Sequence, residues 1–94
     1  MKSYYRSRTD SNQGEIVKAL RAVGCSVQDL SAVGEGCPDL LVGINGKDYL
    51  LECKSISGKL TSWQAIWHSQ WNGRKCAVVR DVKEALAAIG AEAQ

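Results

Sequence analysis

Two apolar runs, DLLVGI at residues 39–44 and DYLLECK at 48–54, stand on either side of Asn45-Gly46. Asn-Gly between such runs is the strongest short-range signal for a β-hairpin, because both residues accept the positive φ of a two-residue turn. With a turn of that length Ile44 pairs with Lys47, and Asp39 falls opposite Glu52. A four-residue loop closed by Gly43 and Asp48 keeps the same register, whereas a three-residue loop would break it. Directly opposed side chains have Cβ atoms about 4.5–5.5 Å apart. Lys54, two residues beyond Glu52, points to the same face.

Two bare carboxylates at about 5 Å repel by roughly 3 kcal/mol at an effective dielectric near 20. A chain of 94 residues buries only about 60–65% of its unfolded surface, so it has little to set against such a cost. A divalent cation removes the repulsion. Two carboxylates, with the remaining positions left to water and phosphate, describe a Mg²⁺ or Mn²⁺ site rather than a zinc site. Lys54 beside it would hold and help deprotonate a metal-polarised water, or neutralise charge building on a phosphate. The plain alternative makes Asp39 a loop-end acid after Pro38, and Glu52 with Lys54 a solvent-facing pair. Leu41 and Leu50 share that face, however, so it is not simply wet.

The length fits one domain, expected over residues 11–94 behind a basic arm at 1–10. Ile16, Leu20 and Val23 recur at helical spacing and predict a helix over 11–23, with Asp10 and Ser11 as capping candidates and Gly24 as its stop. Residues 25–30, CSVQDL, suit a strand; SAVGEGC suits a loop whose glycines allow close backbone approach. Thr61 as N-cap, Gln64 as its capping-box partner and Gly73 as a stop frame a second helix. KCAVV at 75–79 is a short apolar strand. Asp81 and Glu84 form another capping box, before a helix whose face is Val82, Leu86 and Ile89. The order is α-β-β-β-α-β-α, an α/β sandwich. Its hairpin strands are apolar on both faces, as expected where helices cover a sheet on each side.

No apolar run approaches the roughly 20 residues of a membrane helix, and MKSYYRSRTD lacks the apolar core of a signal peptide. The expectation is a soluble cytoplasmic protein. Cys25, Cys37, Cys53 and Cys76 form no C-x-x-C pair and read as small hydrophobes. A net charge of +2 does not by itself argue for nucleic acid. Placement does more: Lys2, Arg6 and Arg8 cluster beside Tyr4 and Tyr5, as a phosphate-contacting arm or as a solvated tail.

Pro38-Asp39, twelve intervening residues, then Glu52-Cys53-Lys54 resembles the signature of PD-(D/E)XK nucleases. Over residues 13–89 the chain resembles a small phage-type VRR-NUC (virus-type replication-repair nuclease) domain. The likeness lies in a first helix carrying Glu15, the G-x-G-x-P-D approach from Gly34 to Asp39, the E-x-K strand, and Gln64 in the helix of Trp63. The resemblance implies a restriction-endonuclease-like sandwich, a central mixed sheet of about four strands flanked by helices. It also implies a Mg²⁺-dependent DNA endonuclease, with Mn²⁺ as a substitute, leaving 5′-phosphate and 3′-hydroxyl ends. Asp39 and Glu52 would be metal ligands together with the backbone carbonyl of Cys53, and Lys54 the catalytic lysine. Glu15 would be the additional acid of the first helix and Gln64 the glutamine that follows E-x-K. If the origin is a phage, the location becomes the cytoplasm of the host cell.

Other readings stand beside these. Glu15 also serves as a surface acid at a helix N-terminus, and the capping box accounts for Gln64 without catalysis. His68, one turn after Gln64, is left out of catalysis. The side chain of Cys53 points away from Glu52 and Lys54, so it is not a nucleophile. Gly34 and Gly36, with the arm residues Lys2, Arg6 and Arg8, are the candidate nucleic-acid contacts. Trp63, Trp67 and Trp71 fall at i, i+4, i+8, either the inner face of their helix or a homodimer interface, which would set two sites against the strands of branched or junction DNA. Two further function classes compete: an inactive nuclease-fold DNA-binding module, against which the intact Asp39, Glu52 and Lys54 argue, and a metal hydrolase for another substrate.

Overall fold

Asn45 and Gly46 both have positive φ, 53° and 76°, the pair that a two-residue hairpin turn requires. Ile44 pairs with Lys47 across them, and the ladder runs through Leu41 with Leu50 to Leu40 with Leu51. The register expected from the turn therefore holds. A computed structural model describes residues 12–91. Lys2, Arg6, Arg8 and the capping candidates Asp10 and Ser11 lie outside the described residues.

The hairpin strands are β2 (Leu40–Ile44) and β3 (Lys47–Cys53), joined by β1 (Ser26–Asp29) and β4 (Ala77–Val79). Their order in the sheet is β1-β2-β3-β4. β1 and β3 both run antiparallel to β2, while β4 runs parallel to β3, so the sheet is mixed. The helices are α1 (Gln13–Ala22), α2 (Ser62–Gln70) and α3 (Val82–Ala88), which gives the expected α-β-β-β-α-β-α order. Both strands of the hairpin are shorter than anticipated at the functional end. Asp39 precedes β2 and Lys54 follows β3.

The two faces of the sheet are treated differently. Leu40, Val42, Leu51, Cys53 and Val79 share one face and are at most 1% exposed, packed with Ile16 and Leu20 of α1 and with Ala85, Leu86 and Ile89 at α3. Full burial of each aliphatic side chain is worth about 1.5–3 kcal/mol, so this layer holds most of the fold's stability. The opposite face is only partly covered. Leu41 remains 37% exposed, and α2, which reaches this face through Gln64 and His68, buries none of its own residues. Helices flank the sheet as expected, but the covering is uneven: a nine-residue helix is too short to roof this face.

The caps also differ in detail. The N-cap of α1 is Asn12, whose side chain makes no capping bond and reaches elsewhere. At α2 the capping box is complete: Thr61 Oγ1 accepts from the Gln64 N–H at 3.2 Å, and Gln64 Oε1 accepts from the Thr61 N–H at 2.9 Å. The box expected at α3 is half made. Asp81 accepts from the Glu84 N–H at 2.8 Å, but Glu84 Oε1 accepts from the Arg80 N–H, one residue before the N-cap. α2 ends at Gln70 with an extended Trp71, before Gly73 is reached. All four cysteines are free, three buried and Cys37 half-buried.

Candidate active site

The ladder between β2 and β3 ends where Pro38, fully buried, would oppose Cys53. Proline has no N–H for a ladder. The donor on the facing strand is met by the neighbouring Asp39 side chain, whose Oδ2 accepts from the Cys53 N–H at 2.9 Å. The Asp39 carbonyl accepts from the Leu30 N–H at 2.7 Å, which turns its backbone toward β1. One step along the register, Asp39 and Glu52 thus occupy a non-hydrogen-bonded position, where opposed side chains come closest.

Glu52 is 1% exposed, and a carboxylate so buried needs strong partners. α2 supplies two from one face of the helix. Gln64 Nε2 donates to Oε2 at 3.2 Å, and His68 Nε2 lies 3.4 Å from Oε1. Gln64 therefore serves both readings at once, its oxygen closing the capping box and its nitrogen holding Glu52. Burial, and then the Lys54 ammonium, hold His68 below the usual imidazole range. A neutral ring carrying its proton on Nε2 would donate it to Glu52. His68 was not among the expected site residues; its i+4 spacing from Gln64 marks only a shared helix face.

Two thiols register the same negative field. Burial first, then Glu52 and Asp39, raise the Cys37 and Cys76 thiols, Cys76 to about 12 in all. Lys54 is half-buried, with its N–H donated to the Val79 carbonyl at 3.0 Å and its carbonyl accepting from Asn12 Nδ2 at 3.1 Å. Glu15 is exposed in the first turn of α1. Asn12, at the N-cap, is the residue of that helix that reaches the E-x-K segment, and nothing in its local sequence announced it.

A cleft of about 440 Å³ opens between the loop after β1 and the N-terminus of α2, its walls including Asp39, Gln64, Gly34, Gly36 and Trp63. Gly34, Glu35 and Gly36 all have positive φ. A Cβ on Gly36 would collide with the Trp63 carbonyl. The close backbone approach read from this glycine is therefore made to α2. Among the described residues no three His, Cys, Asp or Glu side chains gather as a metal cluster. The donors at hand are two carboxylates and backbone, hard oxygens that suit Mg²⁺ or Mn²⁺ and leave coordination positions to water and phosphate.

No family model matches the chain, and neither does any curated protein. It is similar to a solved structure described as a VRR_NUC domain, with 28% identity, a TM-score of 0.67, and coverage of 84% of this chain and 95% of that one. No helix among the described residues is long and apolar enough to cross a membrane.

Proposed function

We propose that this chain, a VRR-NUC domain by structural and sequence likeness, is a metal-dependent endonuclease that hydrolyses DNA phosphodiesters. One observation carries the reading: Asp39 reaches the backbone of the E-x-K segment next to a fully buried Glu52, whose carboxylate is held by Gln64 and His68. A carboxylate pair held this way has little structural purpose unless a cation completes it.

Asp39, Glu52 and the backbone carbonyl of Cys53 would hold the ion. Mg²⁺ or Mn²⁺ bound there would polarise a water and offset charge on the phosphate. Gln64 and His68 keep the Glu52 oxygens in fixed directions, so the ligand arrives preorganised. The Lys54 ammonium, on the same side, donates to the attacking water or to a non-bridging phosphate oxygen as charge develops. Asp39 holds its orientation through the Cys53 N–H. Glu15 stays exposed in the first turn of α1. The cleft between Gly36 and Asp39 admits the backbone of the substrate, and the basic arm of Lys2, Arg6 and Arg8 would add sequence-independent phosphate contacts.

The finer reading is a homodimer acting on branched or junction DNA. It is supported by the apolar surface left open on α2, where Trp63, Ile66 and Trp71 are 66%, 48% and 48% exposed. The test of the activity is incubation with labelled linear, flapped and four-way DNA in Mg²⁺, Mn²⁺ or EDTA. Cleavage that requires either ion and disappears in Asp39→Asn and Glu52→Gln is expected. Binding without cleavage in every condition would favour the inactive-module alternative, and hydrolysis of other phosphoesters alone would favour the third class.

A further inference from the structure

Lys54 stands one residue past the end of β3, where a strand keeps only part of its ladder, yet its backbone is fixed from several directions. Its N–H donates to the Val79 carbonyl. Asn12 Nδ2 donates to its carbonyl at 3.1 Å and also to the Arg80 carbonyl at 2.7 Å. Both amide hydrogens are thereby used, and Asn12 Oδ1 is left buried with no hydrogen-bond partner among the described residues.

Arg80 closes the circuit. Its Nη1 turns back over the residues after Lys54 and meets the carbonyls of Ser55 at 2.6 Å and Gly58 at 2.7 Å, with that of Ile56 at 3.4 Å. The Arg80 N–H is itself tied to Glu84 Oε1 at 2.8 Å, so the guanidinium works from a fixed base at the start of α3. The turn it gathers lies against the lysine. A Cβ on Gly58 would sit 3.0 Å from Ser55 Oγ and 3.5 Å from Lys54 Cδ.

Stability of the turn alone does not explain this convergence. Ile56 is 80% exposed, so the turn has little apolar burial to protect. Two side chains from opposite ends of the chain nevertheless spend their donors on the carbonyls at and just after Lys54. An ammonium that serves a transition state must be placed within about 0.5 Å, and a displacement of about 1 Å can cost roughly 10²-fold in rate. We propose that Asn12 and Arg80 are positioning residues for Lys54, a clamp that fixes its backbone and the turn against its stem. The inference rests on the reading of Lys54 as the lysine that serves the transition state.

Kinetics of Arg80→Ala and Arg80→Lys, each in the wild-type and Lys54→Ala backgrounds, test it. Arg80→Ala should lower kcat about 10- to 100-fold while KM and Mn²⁺ affinity stay within about twofold, the split expected when only transition-state placement is lost. Arg80→Lys, which keeps the charge but reaches fewer carbonyls, should recover part of the rate. In the Lys54→Ala background, Arg80→Ala should change nothing further. Equal fractional losses in both backgrounds would overturn the proposal. A second readout needs no activity: ¹³C relaxation at Lys54 Cε should report an ordered side chain in the wild type and a mobile one in Arg80→Ala. Unchanged order would overturn the clamp. A wild type that cleaves no DNA would instead overturn the nuclease reading while the relaxation still decides the clamp. Should Arg80→Ala fail to fold, Arg80→Lys carries the same two measurements.

Discussion

A carboxylate at 1% exposure costs several kcal/mol unless something replaces its water, and for Glu52 the replacements are Gln64 and His68. Removing either by substitution with alanine should destabilise the metal-free protein by about 1–3 kcal/mol, the usual cost of leaving a buried polar group short of a partner. Urea unfolding in EDTA measures it; a loss under about 0.5 kcal/mol in both variants would mean that water enters the site freely. Asp39→Asn should behave differently, since the amide oxygen can still accept from the Cys53 N–H while the repulsion from Glu52 disappears. Its metal-free melting temperature should match or slightly exceed that of the wild type, and the rise that Mn²⁺ gives the wild type should vanish. Cys76 offers a test with pH. The unfolded thiol ionises near 9.0 and the folded one near 12. The folded pKa is raised, so its contribution is whole below pH 9 and is lost as pH rises from 9 toward 12. Cys76→Ala should therefore lose less stability than the wild type across that window.

At the scale of elements, the placement of α2 decides the site, and its N-terminus is located by Gly36. Gly36→Ala adds a Cβ that collides with the Trp63 carbonyl at a φ of 85°, so it strains the backbone and pushes the helix at once. Gly34→Ala suffers only the strain, since no atom lies within 4 Å of its Cβ. The expected losses are about 1–2 kcal/mol for Gly34→Ala and clearly more for Gly36→Ala, with cleavage falling in Gly36→Ala because Gln64 and His68 leave Glu52. Equal losses would remove the helix contact from the argument. These elements also show what the sequence could carry. The hairpin register was legible because Asn-Gly fixes the turn and a period of two fixes the faces. The capping box of α2 was legible because its partners are three residues apart. The second bond of Gln64 was not, since spacing along a helix does not say which strand lies beneath it. Nor were Asn12 and Arg80, whose contacts join residues 42 and 68 positions apart for Asn12 and 22 to 25 apart for the Arg80 guanidinium. Glu84, expected to reach the Asp81 N–H, bonds that of Arg80 instead, although Asp81 is extended as an N-cap should be.

For the whole molecule the decisive feature is the sheet face that α2 fails to roof. Leu41 is 37% exposed there. A cavity of about 500 Å³, lined by Leu30, Leu41, Leu50, Trp67 and Trp71 among others, opens beside the site. Trp67 and Trp71 stack at 4.7 Å between ring centroids, a rigid aromatic pair of the kind that anchors interfaces at little entropic cost. Trp63 and Ile66 extend the apolar surface along the outside of α2. The aromatic stripe is thus not simply an inner face. On the proposed function one site would cleave one strand, so a two-fold dimer would bring two sites to a branched substrate. Light scattering at micromolar concentration should return about twice the chain mass of 10.2 kDa, and four-way junctions should be cut more readily than linear duplex. Trp63→Glu together with Trp71→Glu should shift the protein to a monomer by placing charge where apolar surface must meet, and the preference for junctions should fall with it. Nicking of a single strand should persist in Trp71→Glu alone, since Trp71 is not among the residues that wall the cleft with Asp39. A wild type that stays monomeric on DNA, or a charged variant that stays dimeric, would remove this face as the dimer surface and leave the metal site where it is.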